Sequence, residues 1–230
     1  MTEQPPPSEA PTAPSAVSPR RLRWLVPPAV VLLVVIVVRG FFFAPFSIPS
    51  RSMEPTLEVG DRILVDRRVD PAQLRRGDII VFDAADAFHL PSSEPGIRER
   101  LLDAVGTLVG RGPESDYVKR IVGLPGDHLV CCDRSGRLRV NGHPLVEPYL
   151  YPGDRASTTP FDIVVPPGRF WVMGDHRSDS SDSRAHLGAP GGGTVPDKDI
   201  IGQVRVRYWP LDRGGTIDPI VFPPDPPNGQ

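Results

Sequence analysis

From Phe46 onward, the apolar runs of this 230-residue chain are short, each soon broken by glycine, proline or aspartate. Such runs suit short β-strands and leave little room for long helices. Arg62–Asp66, Asp78–Phe82, Tyr117–Val122, His128–Cys132, Arg137–Asn141, Arg169–Met173 and Ile201–Tyr208 each read as a strand. Asp133-Arg-Ser-Gly136 supplies turn chemistry that joins two of them into a hairpin, and Asn141-Gly142 marks another turn. The expected fold class is mainly β: an antiparallel, barrel-like sheet domain. One stretch differs. Ile97–Val109 has apolar residues at 97, 101, 102, 105, 108 and 109, the stripe of an amphipathic helix, inside a long insertion over 83–115. That helix either caps the sheet edge or lays an apolar face near a bilayer or over the site.

Ahead of this body lies a charge-free run, Trp24–Val38. Its fifteen residues reach about 22 Å as a helix, short of a hydrocarbon core of about 30 Å. Counted through Phe43 the segment has 20 residues and spans, with Arg39 snorkelling to the interface. A cleaved signal peptide fits the basic start (Arg20, Arg21, Arg23). A cut after Ala44, however, would set Pro45 at the scissile bond, and no clean small-x-small site is present. A buried soluble helix is the third reading, and an uncleaved anchor over 20–44 is preferred. The arginines before it favour a cytoplasmic N-terminus and a main domain on the extracytoplasmic side. Residues 1–19 are rich in proline and nearly free of bulky apolar side chains, so a disordered tail is expected. The end of the chain, 215–230, is expected to be a second proline-rich tail. Net charge is −2, and no nucleic-acid surface is indicated.

The only two cysteines, Cys131 and Cys132, are adjacent, which excludes the usual zinc spacings. The simplest reading places them on opposite faces of a strand; a vicinal disulfide is the alternative outside the cytoplasm. No cluster has metal-ligand spacing, and neither metal nor cofactor is expected.

Among 26 basic residues only Lys119 and Lys198 are lysines. Arginine stays charged at any ordinary pH and cannot accept a proton, so a lysine kept against that bias raises a chemical question. Lys119 lies in Asp116-Tyr-Val-Lys-Arg-Ile-Val-Gly-Leu-Pro-Gly-Asp127. Upstream, Ser52 lies in Pro49-Ser-Arg-Ser-Met-Glu-Pro-Thr-Leu57, where prolines stiffen the backbone on both sides. A serine hydroxyl needs a base, and lysine serves only when neutral. At the reference pKa of about 10.4, about one amine in 2,500 is neutral at pH 7. Burial that lowers the pKa to about 8 gives about one in ten. Strand alternation then turns Arg120 the other way. Histidine is the rival base: His176 beside Asp175 suggests a Ser-His-Asp arrangement, although adjacent residues do not easily form its base–orienter pair.

These segments together resemble the bacterial type I signal peptidases, membrane-bound Ser–Lys enzymes that remove signal peptides from exported proteins. The resemblance runs from about Arg20 to Trp209 and rests on four ordered motifs. They are the Pro49–Leu57 and Asp116–Asp127 segments, Arg76-Gly-Asp-Ile-Ile-Val-Phe82, and Met173-Gly-Asp-His-Arg-Ser-Asp-Ser-Ser-Asp-Ser-Arg184. The resemblance implies Ser52 as nucleophile, Lys119 as general base, and Ser50 with the Ser52 amide as oxyanion hole. It implies Ser180 as the group that bonds and orients the lysine. Asp182 and Arg184, with Arg120 nearby, would support the lysine's strand. Ile48, Pro49, Met53, Leu57, Tyr117 and Val118 would line shallow pockets for a small-x-small cleavage segment added as a strand. Residues 45–214 would form the catalytic domain, and the partners would be preproteins and the lipid bilayer. His176 and Ser178-Asp179 depart from the family pattern. A conjugation- or secretion-system processing peptidase, a self-cleaving SOS repressor and a non-enzymatic membrane-tethered β-domain are the competing readings.

Overall fold

The computed structural model describes residues 42–90 and 115–217, with 220 and 222, and positions 26–28, 30–31 and 34–35. Those last positions are helical and fall within the expected anchor. The remainder of 20–41, the 1–19 tail and the 97–109 helix lie outside the described residues. Among the described residues no helix is long and apolar enough to cross a membrane.

The main sheet is built from β1 (Phe43–Ser47), β2 (Arg62–Asp66), β3 (Ile79–Asp83), β4 (Asp116–Gly123), β9 (Arg169–Met173), β10 (Val195–Pro196), β11 (Ile200–Trp209) and β12 (Gly215–Thr216). Their order is β1-β2-β11-β3-β4-β9-β10, with β12 beside β11. A smaller sheet runs β7-β6-β5-β8, from β5 (His128–Cys131), β6 (Arg139–Val140), β7 (His143–Pro144) and β8 (Phe161–Val164). All pairings are antiparallel. Among the described residues nothing pairs β1 with β10, so the main sheet stays open rather than closing as a barrel.

Three apolar clusters hold these strands. One packs Ile80, Phe82, Ile121 and Val172 under α1 (Ala84–Phe88); another joins Trp171 and Met173 to Leu129, Val140 and Phe161 between the sheets. The third packs Phe46, Ile48, Met53, Leu57, Ile63, Val65 and Val81. Each fully buried side chain of this size contributes about 1.5–3 kcal/mol relative to exposure.

The structure moves several expected boundaries. Phe43 and Ala44, counted into the anchor, are strand residues opposite Asp66 and Val65. The C-terminal tail begins as a strand, since Gly215 and Thr216 pair with Arg207 and Val206. The insertion opens with α1, whose N-cap Asp83 accepts from the amides of Ala85 and Asp86. Cys131 and Cys132 are disulfide-bonded to each other, so they do not sit as independent residues on opposite faces. Strand Arg137–Asn141 shortens to Arg139–Val140, while the Asp133–Gly136 turn is present, with the Gly136 amide donating to Asp133 O. Asn141 and Gly142 both take positive φ (52° and 83°) in the β6–β7 turn, as the sequence suggested.

Candidate active site

Ser52 is carried on a tight turn after β1. The Glu54 amide donates to Arg51 O and the Leu57 amide to Met53 O, each at 2.9 Å. Met53 and Leu57 are buried in the third cluster, so the core pins the turn from beneath. Leu57, expected to line a pocket, is fully buried and anchors the turn instead.

Lys119 comes from the middle of β4, a β-branched and aromatic segment that ends at Gly123 before the Leu124–Asp127 turn. There the Asp127 carboxylate accepts from the Leu124 amide at 2.7 Å. The Lys119 amine is buried and donates to Ser52 Oγ at 2.8 Å and to Val118 O at 3.0 Å. Burial pushes its pKa down to about 8, against the opposing pull of Asp182 and Asp175. Among the described residues the Ser52 hydroxyl has two hydrogen-bonding partners, Lys119 Nζ and, at 3.2 Å, Ser50 Oγ. No histidine reaches it, which removes the rival base. His176 meets Ser52 only through the backbone, its amide donating to Ser52 O at 3.1 Å.

Two buried arginine–aspartate pairs flank the amine. Arg184 donates to Asp182 from Nε at 2.9 Å and from Nη2 at 2.8 Å. Asp182 also accepts from the Gly174 amide and the Ser180 hydroxyl. Burial raises the Asp182 pKa, but Arg184 and these donors outweigh it and hold the carboxyl below its ordinary value. Ser180 therefore does not bond Lys119 as expected: its hydroxyl goes to Asp182 at 2.8 Å. Asp182 and Arg184 thus form the expected pair, while Arg120 points away from Lys119, as alternation requires, and pairs with Asp175. It donates from Nε at 2.8 Å and from Nη2 at 2.6 Å, and from Nη1 to Gly77 O at 2.8 Å. Thr56 Oγ1 donates to the same carboxylate, and the guanidinium lies over the Tyr149 ring.

The dyad opens into a cleft of about 260 Å³ lined by Ile48, Pro49, Met53, Tyr117 and Val118, together with Ser50. Asp116, Asp179 and Ser181 also line it. Sequence reasoning missed these three, together with Asp175 and Thr56. All five lie in the quoted motifs, but a contact between Arg120 and a carboxylate 55 positions away leaves no mark in local spacing. β4 pairs with β3 from Asp116 to Arg120 but with β9 only from Arg120 on. On that second side Asp116–Lys119 have no strand partner among the described residues, which leaves a backbone edge beside the cleft.

A buried amine against a hydroxyl, at the end of a cleft with apolar and polar walls, makes an arrangement fit for acyl transfer. The family model for signal peptidase, peptidase S26, matches residues 21–209. The chain belongs to the signal peptidase family. Signal peptidase I of Mycobacterium tuberculosis is 38% identical over 216 residues, covering 82% of this chain and 72% of the relative. Signal peptidase I of Leptolyngbya laminosa is 33% identical over 225 residues, covering 95% and 96%. A crystal structure of a signal peptidase I from Enterococcus faecalis aligns with a TM-score of 0.37 at 23% identity, covering 57% of this chain and 96% of that one.

Proposed function

We propose that this signal peptidase removes N-terminal signal peptides from exported preproteins with Ser52 as nucleophile and Lys119 as general base. One observation carries the reading: a buried lysine amine whose pKa burial lowers to about 8 lies 2.8 Å from the serine oxygen. Neutral Lys119 takes the proton of Ser52, and Ser52 Oγ bonds to the scissile carbonyl carbon. The carbonyl electrons move to oxygen, where the Ser52 amide and the Ser50 hydroxyl stabilise them. Collapse breaks the C–N bond; protonated Lys119 returns its proton to the departing amine of the mature chain. Water then hydrolyses the acyl-enzyme, with Lys119 again accepting the proton.

The preprotein would lie extended along the free edge at Asp116–Lys119, adding one strand to the main sheet. Ile48, Pro49, Met53, Tyr117 and Val118 leave shallow room, so small side chains fit at alternate positions and large ones clash. Asp182 with Arg184, and Asp175 with Arg120, keep the lysine's surroundings ionically balanced, while Ser180 steadies Asp182. The charge-free run from Trp24 would hold the enzyme in the bilayer with residues 1–19 in the cytoplasm and the β domain outside. Cleavage of a preprotein in liposomes by wild type, Ser52→Ala and Lys119→Arg tests the assignment. Both variants should be inactive; turnover by Lys119→Arg would remove lysine from the role of base.

A further inference from the structure

One buried polar group beside the nucleophile turn has no part in the chemistry above. The His176 side chain is 8% exposed, and its Nδ1 has no hydrogen-bond partner. Leaving such an atom unpaired costs about 1–3 kcal/mol. The ring lies flat on Tyr151, with centroids 3.9 Å apart and planes 10° apart, so its orientation is set. Nδ1 stands 3.9 Å from Glu54 Oε2, outside hydrogen-bond reach and inside ion-pair reach. Glu54 is two residues beyond Ser52 and already accepts from Arg51 Nε at 3.1 Å. Asp179 meets residue 176 through the backbone, its amide donating to His176 O at 3.0 Å.

Residue 176 thus meets the nucleophile turn at two points. Its amide holds the Ser52 carbonyl at 3.1 Å, and its ring faces the Glu54 carboxylate from a stacked, fixed position. Both points belong to the turn that carries the Ser52 hydroxyl and amide. A displacement of the turn misaims both together, and about 1 Å of misplacement can cost about 100-fold in rate.

We infer that His176 is a positioning residue for the nucleophile: its ring, braced on Tyr151, aims Nδ1 at Glu54, and closing the 3.9 Å gap by about 1 Å during attack lets it donate to that carboxylate and hold the Arg51–Glu54 turn in register. This rests on Ser52 being the nucleophile. A phenylalanine keeps the flat ring but has no donor; an asparagine keeps a side-chain N–H donor of similar reach. The two substitutions therefore separate hydrogen bonding from packing.

Single-site kinetics of preprotein cleavage by the full-length enzyme in liposomes provide the test, with His176→Phe, His176→Asn, Glu54→Gln and the pairwise combinations. His176→Phe should lower kcat about tenfold with KM within about twofold, while His176→Asn stays within about threefold of wild type. Added to Glu54→Gln, His176→Phe should cost less than about twofold more, because the two side chains act as one unit. Additive losses, a His176→Phe enzyme at wild-type rate, or His176→Asn as slow as His176→Phe would each overturn the role. Should His176→Phe fail to fold, Glu54→Leu carries the test from the other side: with the acceptor gone, kcat should fall about tenfold with KM within about twofold, and wild-type turnover by that variant would overturn the role. Ser52→Ala separates the two ideas. If it still cleaves, the nucleophile assignment fails; if it is dead while His176→Phe is unimpaired, only the positioning role falls.

Discussion

Lys119 and Asp182 face one another electrostatically without being partners: the carboxylate raises the lysine's pKa, yet its own hydrogen bonds go to Arg184, Gly174 and Ser180. Because Asp182 is already neutralised, burial prevails and the amine settles near 8. A free carboxylate in that position would hold the lysine protonated and idle.

The pH dependence of cleavage should report that balance. Activity should rise with pH through a single ionisation near 8 as Lys119 loses its proton. Arg184→Met unpairs Asp182 and should move this limb upward by one unit or more, in direction with the freed negative charge. Initial rates across pH 6–10 on a preprotein measure it; an unmoved limb in a folded variant would disprove the coupling.

Lys119 should also weaken the fold below its pKa. Its folded pKa of about 8 lies below the ordinary lysine value of 10.5, so between those values the unfolded chain binds more protons. Stability attributable to this group is therefore complete above 10.5 and is lost as pH falls through 8, by about 3 kcal/mol. Lys119→Met should be more stable than wild type at pH 7 by an amount of that order, and the gap should narrow toward pH 10.5. Urea unfolding at both pH values checks the sign.

Arg120 and Asp175 are both almost fully buried and joined by two hydrogen bonds. Asp175→Asn or Arg120→Met alone should cost about 3–5 kcal/mol, because each strands a charge out of water. Arg120→Met with Asp175→Leu should recover much of that loss. Denaturant midpoints for the three proteins decide between a mutual pair and two independent contributions.

Gly174 sits where no side chain fits. A Cβ there would fall 2.4 Å from Ser52 O and 2.3 Å from Ser180 Oγ. Gly174→Ala should therefore push the nucleophile turn and the Ser180–Asp182 contact apart, lowering kcat by about 100-fold while costing about 1–3 kcal/mol of stability. Cleavage rate and thermal midpoint measured together distinguish this from simple unfolding.

The strands that carry the site were readable because their apolar runs are short and soon broken by charged residues or glycine: Arg62–Asp66 matches in full, and Tyr117–Val122 lies within β4. Phe43–Ser47 was misjudged because its phenylalanines continue an apolar run, and hydrophobicity alone does not separate bilayer from sheet. β7, β10 and β12 are two residues long, too short for any period to register. At the site, Ser52 and Lys119 stood out by residue type and motif. The partner of Arg120 did not, since the pairing joins residues 55 positions apart and leaves no local pattern. Ser180 is expected at the lysine from the resemblance alone; its hydroxyl donates to Asp182, two residues on.

Consecutive residues of β4 send an amine to Ser52 and a guanidinium to Asp175, on opposite faces of one strand. Sliding β4 by a single position against β3 would exchange them, aiming a permanently charged group at the hydroxyl and a strippable one at the internal carboxylate. Misalignment would thus remove the titratable base and unbalance the interior in the same step, so register and chemistry stand or fall together.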